Sequence, residues 1–460
     1  MQLNKARVLT AAAVASLLLL LLILWLCLGI TKAFFIFAGI DSAAILAIFV
    51  WALLRHSTLD RRLSMARRKA IEGEQIRLEY SFLRKVAGLP AHFRYEQLEA
   101  ATDNFRAVLG RGASASVFKG ILDDGTAVAV KRIEGAEHGQ REFRAEVTAI
   151  AAVQHVNLVR LLGYCLVPRP GHRYLVYEYI HNGSLDSWIF PADNRAGGQQ
   201  RCLPWAMRCQ VAVDVAKALS YLHHDCRARI LHLDVKPENI LLDEALRACV
   251  ADFGLSKLMG KDESRVVTTV RGTRGYLAPE WLLDAGVTEK SDVYSYGMVL
   301  LEIVGGRRNV RLVGEGPASQ RRWSYFPRIV AEKLREGKIM EVVDGRLLPS
   351  HPAGCHHPAG GGGGSSASQS STGEVDEEEV RMLVQVALWC IQERAELRPS
   401  MARVVDMLEG RLPVDAPPET EMIVMDILSI GQSASSPRRL EPRNPAVSTY
   451  SISMSVLSPR

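Results

Sequence analysis

The chain has 460 residues, 48% hydrophobic and 23% charged, and its 56 Lys and Arg against 50 Asp and Glu give a net charge of +6. That length holds one large enzyme with appendages, and so mild a charge argues against nucleic acid as a partner. Eight cysteines without a CxxC pair argue against a zinc module or a disulfide scaffold and read as reduced structural thiols of a cytosolic compartment.

Two apolar runs come first. Val8–Ile30 holds six consecutive leucines, and Ala33–Leu54 follows after Thr31 and Lys32, apolar apart from Asp41 and Ser42. Each is long enough to cross an apolar slab of about 30 Å as a helix. Residues 1–54 therefore form either a signal sequence followed by one span, or a tight two-helix hairpin with both ends in the cytosol. Asp41 inside a span is costly and marks either a helix partner or, as preferred, a position at the outer surface. Arg55, Arg61, Arg62, Arg67, Arg68 and Lys69 against the single acid Asp60 place everything after residue 55 in the cytoplasm. Residues 55–92 are thus a basic juxtamembrane linker. Its stretch 55–70 can attract anionic lipid at about 1 kcal/mol per charge, an ordinary stop-transfer flank being the simpler reading.

Residues 93–410 have globular texture. Val108-Leu109, Ser116–Ile121 and Thr126–Lys131 read as short strands, with Asp123-Asp124-Gly125 as the turn between the last two. Gln140–Val153 has helical spacing, and past a hinge near Glu178–Gly183 helical patterns dominate: Trp205–His224, Asp292–Val304, Glu377–Gln392 and Ser400–Leu408. A small β-rich part followed by a larger helical part predicts an α+β fold of two lobes. The Gly- and Ser-rich region about 349–375 reads as a flexible insertion, and 411–460 as a disordered Ser/Pro-rich tail.

Gly110 and Gly112 lie in a turn between strand patterns, where backbone N–H groups can approach phosphate oxygens; Ala115 and Val117 follow. Lys131 ends the apolar strand Val128-Ala129-Val130. A buried ammonium there needs an anion, and Glu146 on the next helical pattern is the candidate. The decisive stretch runs from His232 through Asp234 and Lys236 to Asn239, followed by Asp252-Phe253-Gly254. An acid, a lysine two residues on and an amide five on can face one cleft: the acid to orient a hydroxyl, the lysine to stabilise a phosphoryl group, the amide oxygen and Asp252 to bind Mg²⁺. This requires Lys131, Asp234 and Asp252 to line a common cavity. His223-His224, with no metal-ligand spacing, reads as a packing or capping pair. The acids before residue 380 suit a positive helix N-terminus.

Together these motifs resemble a eukaryotic protein kinase, and more narrowly a plant receptor-like serine/threonine kinase of the Pelle type. Ala278-Pro279-Glu280, Asp292 and Arg398 complete the set, and Phe93 to Phe105 resembles the segment preceding such domains. The resemblance implies a bilobal kinase fold behind one or two transmembrane helices, at the plasma membrane with its kinase domain cytoplasmic. It implies ATP held by Gly110, Gly112, Val117, Ala129, Lys131, Glu146, Tyr177, Glu178 and Tyr179, with Mg²⁺ (Mn²⁺ as alternative) on Asn239 and Asp252. Asp234, Lys236 and Asn239 are the implied catalytic residues. Thr273 would contact the acceptor, Glu280 and Arg398 would pair, and Asp292 would brace the catalytic loop.

One departure stands out. Leu233 replaces the usual Arg before the catalytic Asp, so a phosphate clamp is missing or rewired through Arg271 or Arg274. Activity is expected to depend weakly on phosphorylation of Ser264, Thr268 or Thr269. Protein substrates are implied as partners, and the lack of a sizeable ectodomain suggests a co-receptor. The competing reading is a pseudokinase scaffold that binds partners without turnover.

Overall fold

The computed structural model describes residues 90–420 except 113–114, 136, 152, 168–171, 192–200, 261–262, 264, 267–270, 283–285, 314–321 and 349–374, together with parts of 14–51. The chain divides into two units, Met1–Leu83 and Arg84–Arg460. In the first, the described stretches within 14–26 and 39–51 are helical, and Leu18, Leu26, Ile40 and Leu46 expose 54–69% of their surface, whereas Asp41 is buried. Among the described residues no helix is long and apolar enough to cross a membrane.

The second unit begins with a six-stranded sheet ordered β1-β5-β6-β4-β3-β2. Its strands are β1 (Ala91–His92), β2 (Val108–Arg111), β3 (Ala115–Ile121), β4 (Ala127–Ile133), β5 (Leu161–Leu166) and β6 (Arg173–Glu178). β1 runs parallel to β5, and the other pairings are antiparallel. The β3–β4 hairpin closes where the sequence predicts: Asp124 Oδ1 accepts from Thr126 N at 2.9 Å, and Gly125 takes φ +85°. The segment from Phe93 onward belongs to this lobe. Helix α1 (Tyr95–Ala101) buries Leu98 against Val128, Val130, Tyr174 and Val176. Gly163 is required beside it, because a Cβ there would sit 2.2 Å from the Phe93 ring. Helix α2 (Glu137–Ile150) follows β4 and carries Glu146.

After β6 the chain crosses through α3 (Asp186–Ile189) into a helical lobe. Its helix α4 (Trp205–Ser220) runs into a π turn at Tyr221–Asp225, which together match the predicted 205–224 pattern. Short strands β7 (Arg229–Leu231), β8 (Ile240–Leu242), β9 (Ala248–Val250) and β10 (Lys257–Met259) pair as β7–β10 and β8–β9, framing the two motif loops. α5 (Pro279–Leu282) leads to α6 (Glu289–Gly305), buried on every side from Ser291 to Gly305 and mostly apolar there, with Asp292 and Glu302 as its buried carboxylates. Thr288 caps its start, and it stops at Gly306, whose φ of +58° and approach to Asp344 exclude any side chain. The hairpin β11 (Val310–Val313) and β12 (Arg322–Tyr325) precedes α7 (Phe326–Arg335), α8 (Glu377–Cys390) and α9 (Met401–Leu408). Asp376 and Ser400 cap α8 and α9 with their side chains.

One boundary and one cysteine expectation drawn from composition come out differently. Residues 411–420 do not leave the lobe at 410: Trp389 Nε1 donates to Asp415 O at 2.9 Å and Gln392 Nε2 to Pro418 O at 3.1 Å, so side chains of α8 and its end hold the segment by its carbonyls. Cys165, Cys209, Cys226, Cys249 and Cys390 are free thiols as expected, but Cys202 is disulfide-bonded, a pairing that sequence spacing does not reveal. Ser264, Thr268, Thr269 and nearly all of the 349–375 insertion lie outside the described residues.

Candidate active site

A cavity of about 520 Å³ opens between the sheet and the helical lobe. Gly110, Val117, Ala129, Lys131, Glu146, Tyr177, Glu178, Tyr179, Asn239 and Asp252 all line it, and Gly112 does not. Its walls are apolar around Ala129, Val159 and Leu241, and its polar groups gather at the inner end.

At that end stands Lys131. Alternation along β4 turns it inward, and its side chain is only 9% exposed. Its Nζ lies 2.8 Å from Glu146 Oε2, 2.8 Å from Asp252 Oδ1 and 3.5 Å from Glu142 Oε1. Burial alone would depress this ammonium, yet the carboxylates of Asp252, Glu146 and Glu142 outweigh it and hold Lys131 well above the usual lysine range. Burial pushes Glu146 up to about 7 against the opposing pull of Lys131. Burial also opposes ionisation of Asp252, but Lys131 prevails and its carboxyl is lowered. The Tyr177 hydroxyl donates to Glu146 Oε1, tying the back of the cavity to α2. Glu142, one turn before Glu146, was not singled out from the sequence; the i, i+4 spacing on α2 was the available signal.

Beneath lies the loop from His232 to Asn239. Asp234 receives four hydrogen bonds to its side chain and carbonyl. Lys236 Nζ donates to Oδ2 at 2.7 Å, and the Thr273 hydroxyl donates to Oδ1 at 2.8 Å. Asn239 Nδ2 donates to the backbone O at 2.9 Å and to Oδ2 at 3.0 Å. Lys236 also reaches Thr273 Oγ1 at 2.9 Å. Asp234 itself faces a small adjoining cleft with Leu233, Thr273 and Tyr276 and does not line the main cavity, so the expected common cavity holds for Lys131 and Asp252 only. Asn239 lines the main cavity and is hydrogen-bonded to Asp234.

The loop is held from below. Leu233 takes φ +65°, a left-handed conformation that strains a branched residue. Asp292, fully buried on α6, accepts from Leu233 N at 2.7 Å and His232 N at 2.8 Å. His223 Nε2 lies 2.9 Å from the same carboxylate, so this histidine is a buried brace and not a free cap. His232 Nδ1 accepts from Asp234 N at 3.2 Å, which leaves its Nε2 to donate to Ala251 O at 3.0 Å beside Asp252. The leucine side chain of Leu233 is buried and offers no donor.

Glu280 and Arg398 meet farther down in a two-point pair, Nη1 to Oε1 and Nη2 to Oε2 both at 2.8 Å. Arg271 lines a separate cavity with Arg144 and Lys257, and Arg274 lines none of the cavities described.

Against known proteins, a protein kinase domain matches residues 104–407. A protein of Arabidopsis thaliana described as a probable receptor-like protein kinase is 54% identical over 430 residues, covering 93% of this chain and 90% of the relative. A G-type lectin S-receptor-like serine/threonine-protein kinase of the same plant is 45% identical over 342 residues, and one from Oryza sativa subsp. indica is 38% identical over 341. This chain spans 38% of the length of each of those two. With the lysine–glutamate pair, the Asp234 loop and the Glu280–Arg398 pair in one bilobal fold, the chain belongs to the protein kinases, among the plant receptor-like serine/threonine kinases.

Proposed function

We propose that this chain is a catalytically active kinase, moving the γ-phosphoryl group of ATP to Ser and Thr hydroxyls of proteins from a membrane-anchored position. The observation that carries the reading is the ordered surround of Asp234, whose carboxylate is fixed by Lys236, Thr273 and Asn239 together while Lys131 is paired with Glu146. Asp234 accepts the hydroxyl proton, and Lys236 neutralises charge on the group in flight. Thr273 orients the acceptor beside them. Lys131, held by Glu146, engages the nucleotide phosphates, with Gly110 over them and Glu178 and Tyr179 at the adenine end.

The residues present suit a divalent cation. Asn239 commits its amide nitrogen to Asp234, leaving its oxygen as a hard donor, and Asp252 keeps a carboxylate 43% exposed in the cavity. A magnesium or manganese ion bound there would neutralise the phosphate charges. Asp252 stays ionised because Lys131 sits beside it, so this ligand set is available at neutral pH.

Anchoring is supported by the two leucine- and alanine-rich runs and by the exposed apolar side chains on their helical stretches. The basic 55–70 stretch would then lie at the cytoplasmic lipid surface. A separate ligand-binding co-receptor fits the lectin-type relatives, which carry most of their length outside the matching part.

Autophosphorylation of the purified full-length chain, with Mg²⁺, with Mn²⁺ and with chelator, tests the reading. Cation-dependent transfer to Ser and Thr is expected. Nucleotide binding without any transfer under all three conditions would leave the scaffold as the correct account.

A further inference from the structure

Beside the acceptor side of the site, four polar side chains from three segments meet. Arg308, just past α6, places Nη2 2.6 Å from Glu238 Oε1 and donates from Nη1 to the Tyr276 hydroxyl at 3.2 Å. Its guanidinium lies over the Phe190 ring, 4.0 Å from the centroid. Tyr276 donates onward to Glu302 Oε2 at 2.7 Å, and Glu302 Oε1 accepts from Asn309 N at 2.9 Å. Glu238 directly precedes Asn239 and lines the main cavity, and its other oxygen, Oε2, is buried without a hydrogen-bond partner among the described residues.

An ionised carboxylate one residue from the group that fixes Asp234 would ordinarily draw a cation from an approaching peptide. Here the chain's own Arg308 has taken that position. Stacking on Phe190 and the bond to Tyr276 hold the guanidinium in place, so it does not swing aside for a competitor. A substrate Arg or Lys arriving at Glu238 would meet a pair already neutral and a like charge within a few ångströms.

We propose that Arg308 is a specificity-determining residue: by pairing with Glu238 within the chain, it occupies a carboxylate that would otherwise select a cation and so removes any preference for a basic residue flanking the acceptor hydroxyl. The inference rests on the reading of the chain as an active protein kinase.

The test uses the full-length chain and single-acceptor threonine peptides in an alanine background, with Arg placed at each flanking position in turn. In the natural protein the Arg-over-Ala ratio of kcat/KM stays within about twofold at every position, and Glu238→Gln leaves that ratio unchanged. Arg308→Gln raises the ratio about tenfold at one or more positions, Arg308→Lys does not, and Glu238→Gln in the Arg308→Gln background removes the gain. A strong Arg preference in the natural protein that Glu238→Gln abolishes overturns the proposal, even if Arg308→Gln fails to fold. So does an unchanged ratio in a folded Arg308→Gln variant, or a change confined to KM for ATP. Absence of turnover on every peptide overturns the enzymatic reading and this inference with it, whereas a wrong ratio overturns only the inference.

Discussion

Two buried ionic clusters in the same unit are built on opposite rules. Around Arg398 every donor is matched: Nε to Gln392 O, Nη1 to Glu280 Oε1 and Lys290 O, Nη2 to Glu280 Oε2 and Glu393 O. The guanidinium is closed off, and nothing is left over for a ligand. Around Lys131 the balance is uneven, with Glu142, Glu146 and Asp252 gathered on one ammonium at the end of an open cavity. Surplus carboxylate beside open space is a poor way to stabilise a fold and a useful way to receive a cation and a polyanion. Matching marks the brace and mismatch marks the working site.

The largest expected effect lies on the working side. Asp234→Asn preserves size and most of the hydrogen bonds from Asn239 and Thr273 but removes the proposed proton acceptor, so the transfer rate should fall about 10³-fold with ATP affinity unchanged. Single-turnover transfer and nucleotide titration on the same preparation separate the two. A variant that turns over at the natural rate would remove Asp234 from the chemistry and leave the loop a structural feature.

Stability should show the reverse ranking. Arg398→Leu strands the Glu280 carboxylate and three carbonyls in the helical lobe and should cost about 3–5 kcal/mol, read by urea unfolding. Lys131→Met should cost less than that, although it leaves more carboxylates behind. Glu146 relieves itself by taking up a proton, and Asp252 is half open to water. If the lysine change proves the more damaging, matching does not distinguish brace from site.

The raised Glu146 gives the comparison a pH axis. Its folded value near 7 lies above the ordinary 4.5, so the folded chain holds a proton that the unfolded chain has released. Its contribution to stability is therefore complete below 4.5 and lost as pH rises towards 7. Activity runs the other way, since only the ionised form pairs with Lys131. Between pH 8 and pH 6, kcat/KM for ATP should drop about tenfold with a midpoint near 7. The Tyr177 hydroxyl favours the ionised form, so Tyr177→Phe should move that midpoint upward. A profile flat across this range would mean that Glu146 stays charged throughout and that the cluster is better matched than its geometry implies.

Most of the cleft was legible because its chemistry sits in short, ordered runs: Lys131 at a strand end, Asp234 to Asn239 in one loop, Asp252 beside two residues of fixed type. The β3–β4 hairpin was legible because Asp124 and Gly125 encode their own turn. What escaped was made by distance in sequence. His223 reaches Asp292 across 69 residues, and Arg308 reaches Glu238 from the far side of α6. No periodicity announces such meetings. The docking of 411–420 escaped for a related reason: a proline-rich tail composition says nothing about Trp389 and Gln392 waiting to bind its carbonyls.

The smallest expected effect concerns the departure at Leu233. A phosphate clamp would be needed if the catalytic loop were otherwise loose, yet the loop already hangs from Asp292 by two backbone amides, with His223 steadying the same carboxylate and the Leu233 side chain buried. On the proposed reading, the brace supplies within the helical lobe what an arginine and a phosphate would supply from the activation segment. Replacing Ser264, Thr268 and Thr269 together by Ala should then change kcat on an exogenous peptide by less than about threefold. Loss of turnover in a triple variant with an unchanged unfolding profile would show that matched hydrogen bonds hold the loop without making it competent, and that a phosphate is still required to do so.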